Sequence, residues 1–122
     1  MDDHVRAITV DHGGRVYIGS LRHNLARFNP STGNFRYWKD RSEGTPDRAV
    51  TALATDTDGS VWVGSWLGVG RYFPDSDRWV YYNSVTVELP TDEIRSIQID
   101  RRGASRKVYV GRMGGVSIYS GP

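Results

Sequence analysis

The sequence predicts an all-β fold built from repeated, four-stranded antiparallel sheets. Three segments of similar sequence begin at Val5, Val50 and Ile94, so the chain repeats after 45 and then 44 residues. In each copy, short runs rich in β-branched and aromatic residues are separated by clusters of Asp, Asn, Pro and Gly, which is the pattern of strands and tight turns. Hydrophobic residues make up 38% of the 122 residues, enough for a single small domain over residues 1–122.

Each copy divides into strands that we call a, b, c and d in chain order. Strand a is predicted at residues 5–11, 50–56 and 94–100, and strand b at 16–20, 61–65 and 108–112. Strand c is predicted at about 25–29, 69–73 and 116–120, whereas strand d, at 35–38 and 79–82, has no counterpart in the third copy. Asp-rich turns, which read DHGG, DTDG and DRRG, join strand a to strand b.

Strand b is apolar on both sides in every copy. Its three central residues are Val-Tyr-Ile, Val-Trp-Val and Val-Tyr-Val. Because successive side chains of a strand point to opposite faces of the sheet, both faces of each sheet must be covered. Stacked blades of a β-propeller satisfy this requirement. The sequence therefore predicts blades at about 5–40, 50–84 and 94–120, of which the third lacks its outer strand.

Two complete blades and one incomplete blade are too few for a closed propeller, which usually has about four to eight. The ring is therefore expected to close only through oligomerisation or through sequence beyond this chain. A homodimer is the favoured expectation, because two-fold symmetry is the commonest oligomeric arrangement. Two alternatives stay open: the chain is a fragment of a larger propeller, or it is an open arc that docks a partner.

The second copy carries the fullest version of a recognisable repeat motif. Its members are Asp56, Gly59, Trp62, Gly64, Gly68, Arg71 and Tyr72. This pattern resembles the two-component regulator propeller repeat, and the other copies keep most of it, with Tyr17 and Tyr109 in place of the tryptophan. The resemblance implies a β-propeller typical of extracytoplasmic sensor regions of bacterial hybrid histidine kinases. The function we expect is a non-enzymatic module that binds a small ligand, a glycan or a protein.

The loops between strands b and c are the candidate binding site. They occupy residues 20–24, 65–68 and 112–115, which places them on one face of the propeller. Their residues differ between copies while the strands repeat, as expected where loops carry function on a rigid scaffold. The candidate residues are Arg22, His23, Trp66, Leu67, Arg112 and Met113. Ordinary solvated loops remain the alternative interpretation.

The sequence contains no pattern of catalytic or metal-binding residues, so we expect no catalytic site, no metal and no cofactor. The chain has no cysteine, and its three histidines lack the spacing of metal ligands. The Asp-x-Asp-Gly segment at 56–59 resembles the start of a calcium loop, but no acidic residue occurs between 60 and 68. We therefore predict that Asp56 accepts backbone N–H groups in a hairpin turn and that Trp62 belongs to the blade core.

Two other functions stay open. The segment NLARFNPSTG, residues 24–33, is similar to repeats of the streptogramin lyase propellers, and this resemblance implies a metal-dependent enzyme. A purely structural, self-assembling propeller fragment is the other alternative. A net charge of +2 with scattered basic residues does not favour nucleic-acid binding, and no apolar run is long enough for membrane insertion. We expect a cytoplasmic protein if the chain is complete and a periplasmic one if it belongs to a sensor kinase.

Overall fold

The computed structural model describes residues 5–21, 24–38, 49–66, 68–82, 93–103, 105–112 and 114–121. In these ranges the chain forms eleven strands in three antiparallel sheets. Two sheets have four strands and the third has three, which confirms the predicted all-β fold with one blade lacking its outer strand. The three sheets do not close a ring. Within the described ranges, no helix has the length and apolar character needed to cross a membrane.

The strands follow one another along the chain in the same order as in the sheets. The first sheet contains β1 (Val5–Val10), β2 (Val16–Ser20), β3 (Leu25–Asn29) and β4 (Asn34–Trp38). The second contains β5 (Val50–Thr55), β6 (Val61–Ser65), β7 (Gly68–Phe73) and β8 (Arg78–Tyr82). The third contains β9 (Ile94–Asp100), β10 (Lys107–Arg112) and β11 (Gly115–Tyr119). The predicted strand ends agree with these bounds to within about one residue. The agreement is close because the turn residues mark where each strand begins and ends.

Aspartate and glycine shape the hairpin turns that join the first two strands of a sheet. Gly14 and Gly59 have φ angles of 82° and 89°, in the left-handed region that favours glycine. Their N–H groups donate to the backbone carbonyls of Asp11 and Asp56 at 3.1 and 3.0 Å. The tight turns bring β1 against β2 and β5 against β6 in antiparallel register.

The sheets pack face to face through two apolar interfaces. The first interface, between the first and second sheets, contains Tyr17, Leu25, Trp38, Val50, Val61, Val63 and Tyr72. The second interface, between the second and third sheets, contains Ala52, Trp62, Val69, Tyr82, Ile94, Ile97, Val108 and Val110. Every residue of β6 is buried, as predicted for a strand covered on both faces. The prediction holds for the middle sheet only, because no sheet in the part of the chain that the structure describes covers the outer faces of β1 and β11.

Candidate functional site

The sheets have two ends that carry different connections. The loop end carries the β2–β3, β6–β7 and β10–β11 loops, which are the predicted binding loops. The turn end carries the β1–β2, β5–β6 and β9–β10 turns, together with the β3–β4 and β7–β8 turns. Because neighbouring strands are antiparallel, these two ends lie on opposite sides of the molecule.

Trp66 is an exposed aromatic side chain at the loop end. It is 47% exposed, although it follows directly on β6, in which every residue is buried. The hydroxyl of Ser65 donates to the backbone carbonyl of Gly68 at 2.9 Å and so ties the two ends of this loop together. The structure therefore presents the indole to solvent from a well-packed base.

Arg112 is the other predicted site residue that the structure describes. It is half-buried at the end of β10, and its Nε donates to the Ser117 hydroxyl at 3.4 Å. The remaining four predicted residues, Arg22, His23, Leu67 and Met113, lie outside the described residues. The fold thus brings Trp66 and Arg112 to the same end of the molecule, and the binding role of the loops stays a prediction.

Asp56 is fully buried at the turn end, where it joins the second sheet to the third. Its Oδ2 accepts the Trp62 Nε1–H at 2.8 Å and a guanidinium N–H of Arg71 at 3.3 Å. Its Oδ1 accepts the Nε–H of Arg106 and the backbone N–H of Thr57, at 2.8 and 2.7 Å. Burial alone would raise the pKa of Asp56, but the hydrogen bonds from Trp62 and Arg106 hold it below its usual value. The predicted turn role of Asp56 and the buried position of Trp62 are confirmed.

The equivalent aspartates of the other two sheets are also engaged within their own hairpins. Asp11 accepts the Tyr17 hydroxyl and the Arg15 Nε–H, both at 2.8 Å. Asp100 is bound by Arg102, whose side-chain and backbone N–H groups lower the pKa of Asp100 to about 2. We therefore interpret this repeated carboxylate as structural in every blade.

A polar groove lies at the turn end between the first two sheets. It has a volume of about 410 Å³, and its lining includes His12, Arg15, Asp58, Phe73 and Asp75. Arg15 is paired with Asp11 and Asp58 is paired with Arg71, so part of this charge is neutralised by neighbours. The described part of the chain contains no group of three or more His, Cys, Asp or Glu residues that could hold a metal ion. The groove is a second candidate site, suited to a small polar molecule.

The family of the repeat follows from a match over its second copy. Residues 44–67 match the family model of the two component regulator propeller. The chain contains a two-component regulator propeller repeat. The matched segment includes β5, β6, the buried Asp56 and Trp62, so the family pattern describes the frame of the second blade. No curated protein matches the chain.

Solved structures share this propeller fold at low sequence identity. PorZ, a surface component of the type-IX secretion system of Porphyromonas gingivalis, has a TM-score of 0.72 and 18% identity, covering 95% of this chain and 17% of PorZ. The extracellular domain of BT3049 from B. thetaiotaomicron, described as a hybrid two-component system, has a TM-score of 0.71 and 18% identity, covering 98% and 24%. Virginiamycin B lyase from Staphylococcus aureus has a TM-score of 0.64 and 22% identity, covering 100% and 43%. The propeller chain therefore spans less than half of each of these proteins, and the likeness shows the fold alone.

Two features of this propeller are not evident from its sequence. The Asp56–Arg106 contact joins two blades, and Arg106 lies in a turn, RRGASRK, that is longer than its counterparts. The groove at the turn end is formed by turns from two blades, so no single motif marks it. His12 and the Asp-x-Asp-Gly segment at 56–59 both lie beside the groove, and only the fold places the His12 ring against Gly59.

Proposed function

We propose that this chain is part of a non-enzymatic, sensor-type propeller that binds a small ligand, a glycan or a protein at its loop end. Two findings support the sensor class. The second blade matches the two-component regulator propeller, and the same fold forms the extracellular domain of BT3049. The proposal extends these findings from the frame of the propeller to its exposed loops.

The observation that carries the proposal is the exposed indole of Trp66 on a buried hairpin. Trp66 is 47% exposed, whereas the core residue Trp62 is 0% exposed. A tryptophan offers a large apolar surface together with one N–H donor, and such side chains are enriched at the centres of binding surfaces. Because the hairpin beneath Trp66 is already packed, little further ordering of the scaffold is needed on binding.

The test begins with a thermal-shift screen of small molecules and glycans against the whole chain, since a bound ligand raises the melting temperature by mass action. Each hit is then titrated against Trp66→Ala and Arg112→Ala by calorimetry. Tyr81→Ala is the matched control, because Tyr81 is an aromatic side chain of similar exposure, 42%, on the outer strand β8.

We expect Trp66→Ala to weaken binding by at least about tenfold, which corresponds to about 1.4 kcal/mol. The melting temperature of the free variant should match that of the unmodified chain, because the indole is exposed. Tyr81→Ala should bind normally. If Trp66→Ala and Arg112→Ala both bind a hit as well as the unmodified chain does, the loop end is not the site.

A propeller enzyme is the second candidate function. The match to virginiamycin B lyase covers the whole of this chain at a TM-score of 0.64. His12, Asp58 and Asp75 line the turn-end groove, although the described residues include no group of three that could hold a metal ion. The resemblance to streptogramin lyases implies dependence on a divalent metal. A melting temperature that rises with Mg²⁺ and falls back with EDTA would favour this enzyme, whereas insensitivity to both would favour the binding module.

A further inference from the structure

Each sheet of this chain has two chemically different faces. We call the face toward the preceding sheet the front face and the face toward the following sheet the back face. The two internal interfaces therefore both join a back face to a front face. Among the described residues, no sheet packs against the front face of the first sheet or against the back face of the third sheet.

The open front face carries the residues that the middle sheet uses in the first interface. Ile8 and Phe35 are 61% and 51% exposed on this face. Their counterparts one repeat later are Leu53 and Trp79, which pack against the core of the first interface. The front face of the first sheet therefore carries apolar residues like those that the second sheet packs into the first interface, but these residues are exposed.

The open back face carries the residues that the first and second sheets bury. Val116 is 65% exposed and lies opposite Gly111 in the sheet register. The counterparts of Val116 are Leu25 and Val69, which lie opposite the corresponding glycines and are 0% and 1% exposed. The difference arises because a following sheet covers Leu25 and Val69, whereas none of the three described sheets covers Val116.

Close contacts at equivalent glycines of β2 and β6 show how the faces of neighbouring sheets fit together. A side chain added at Gly19 would clash with Val50, the first residue of the next sheet. A Cβ added at Gly64 would lie 2.6 Å from Cγ2 of Ile94, which is the counterpart of Val50. Both glycines therefore form a recess for the first residue of the following sheet.

The two open faces carry the residues that correspond to the two sides of this contact. At the corresponding glycine of the third sheet, Gly111, an added Cβ would lie 2.6 Å from Oγ of Ser96, so the nearest atom is a hydroxyl of the same sheet and not a side chain of a following sheet. Val5, the counterpart of Val50 and Ile94, is 42% exposed at the start of the first sheet. Gly111 and Val5, which correspond to Gly64 and Ile94 of the second interface, thus lie at opposite ends of the array of sheets.

On the open back face, the residue opposite the central aromatic residue of the second strand of the sheet is apolar. In the first two sheets the residues opposite Tyr17 and Trp62 are Arg27 and Arg71, and Arg71 is buried with its carboxylate partners. In the third sheet the residue opposite Tyr109 is Ile118, which is 57% exposed. Covering Ile118 therefore requires no arginine to be desolvated.

We propose that the back face of the third sheet packs on the front face of the first sheet of a second copy of this chain. The contact repeats the two internal interfaces, with Val5 of one copy packed against Gly111 of the other after the Ser96 hydroxyl has rotated away from Gly111. Two copies make this contact twice and so form a closed ring of six sheets, within the usual range for propellers. This proposal is independent of ligand binding at the loop end.

The experiment measures the mass of the 122-residue chain by light scattering across a dilution series, with Ile8→Lys and Val116→Glu as interface variants. The unmodified chain should have twice the monomer mass of 13.7 kDa. Each variant alone should have the monomer mass, because each places a charge in both contacts of the ring. Ser31→Lys, in an exposed turn, is the control for an added charge and should remain a dimer. Circular dichroism shows whether each variant keeps its β-sheet content.

Mixing the two interface variants tests the head-to-tail geometry directly. One contact of the mixed pair is unmodified and the other places a lysine near a glutamate, so the mixture should regain the dimer mass. A monomeric unmodified chain would overturn the proposal and leave the rest of a larger propeller as the occupant of both faces. A Val116→Glu chain that still dimerises would indicate contact between two front faces, which also overturns it. A mixture that stays monomeric while both variants remain folded contradicts it as well.

Discussion

Asp56 is buried and binds the guanidinium groups of Arg71 and Arg106, which belong to the second sheet and to a turn of the third. Replacing Asp56 should therefore weaken the second interface. Asp56→Asn removes the charge that compensates Arg71 and Arg106, while the amide keeps nearly the same volume. Breaking a buried ion pair from one side typically costs about 3–5 kcal/mol, because the remaining charge is left uncompensated. We expect a loss of this size in the free energy of unfolding, measured by urea titration.

The control for Asp56→Asn is Asp75→Asn, which makes the same chemical change at an exposed turn. Substitutions at such positions usually change stability by less than about 0.5 kcal/mol. Comparable losses in the two variants would show that the Asp56 network contributes no more than general charge effects.

The same carboxylate makes the stability sensitive to acid. The pKa of Asp56 is lower in the folded chain than its ordinary value of about 3.9. Its contribution is therefore fully present above that value and is lost as the pH falls through the lower folded pKa. We expect the free energy of unfolding to decrease below about pH 4. Asp56→Asn should lose part of this decrease in urea titrations at several pH values, and an unchanged pH dependence in the variant would contradict the assignment.

At the scale of single residues, the sequence predicts the roles that repeat and misses those that do not. The burial of Trp62 and the turn role of Asp56 follow from their place in each copy, and the structure confirms both. The buried charge of Arg71 goes against the usual exposure of arginine, and Arg106 lies in a turn that is longer than its counterparts in the other copies. Contacts of this kind depend on tertiary packing, which a repeat pattern does not encode.

The strands themselves were predictable because turn chemistry and the repeat agree. Asp and Gly recur between β1 and β2, and again between β5 and β6. The ends of these strands are therefore indicated both by the turn residues and by the repeat. The apolar pattern of strand b is the same in all three copies, so it does not distinguish the middle sheet from the two terminal sheets. Val5 and Ile8 of β1 correspond to Val50 and Leu53 of β5, yet Val5 and Ile8 are exposed because no sheet among the described residues covers them.

The glycine in β6 sets the distance between the second and third sheets. A Cβ at Gly64 would lie 2.6 Å from Cγ2 of Ile94 and 3.3 Å from Cβ of Ala52, so Gly64→Ala overfills this contact. Overpacking of a core typically costs about 1–3 kcal/mol. We expect that loss in urea unfolding of Gly64→Ala.

A double variant separates this steric effect from the β-strand preferences of glycine and alanine. Ile94→Ala should itself cost about 2–5 kcal/mol, because it leaves a cavity in the second interface. In Gly64→Ala with Ile94→Ala the added methyl group occupies space that has become free. The double variant should therefore be more stable than the sum of the single losses predicts, by about 0.5–3 kcal/mol. Strict additivity would mean that Gly64 is required for a reason other than the approach of Ile94.

At the scale of the whole molecule, the middle sheet holds the array together. The middle sheet supplies one side of both apolar interfaces. It also makes hydrogen bonds to both neighbours, because the Thr55 hydroxyl donates to the carbonyl of Val10 and Arg101 donates to the carbonyl of Thr55. In repeat proteins the stability of a unit depends on its neighbours. Each terminal sheet has one internal neighbour, whereas the middle sheet has two.

This arrangement predicts that the three sheets unfold as one cooperative unit. Trp38, Trp62 and Trp79 lie in strands of the first two sheets, and Trp66, the fourth tryptophan, lies in the loop between β6 and β7. Tryptophan fluorescence therefore reports on the first two sheets. Far-ultraviolet circular dichroism also reports the third sheet. Because Arg106 and Tyr119 of the third sheet contact Asp56 and Trp62 of the second, loss of the third sheet removes part of the support for the second. The two signals should therefore give one coincident urea transition. A circular dichroism change that precedes the fluorescence change would show instead that the third sheet unfolds by itself.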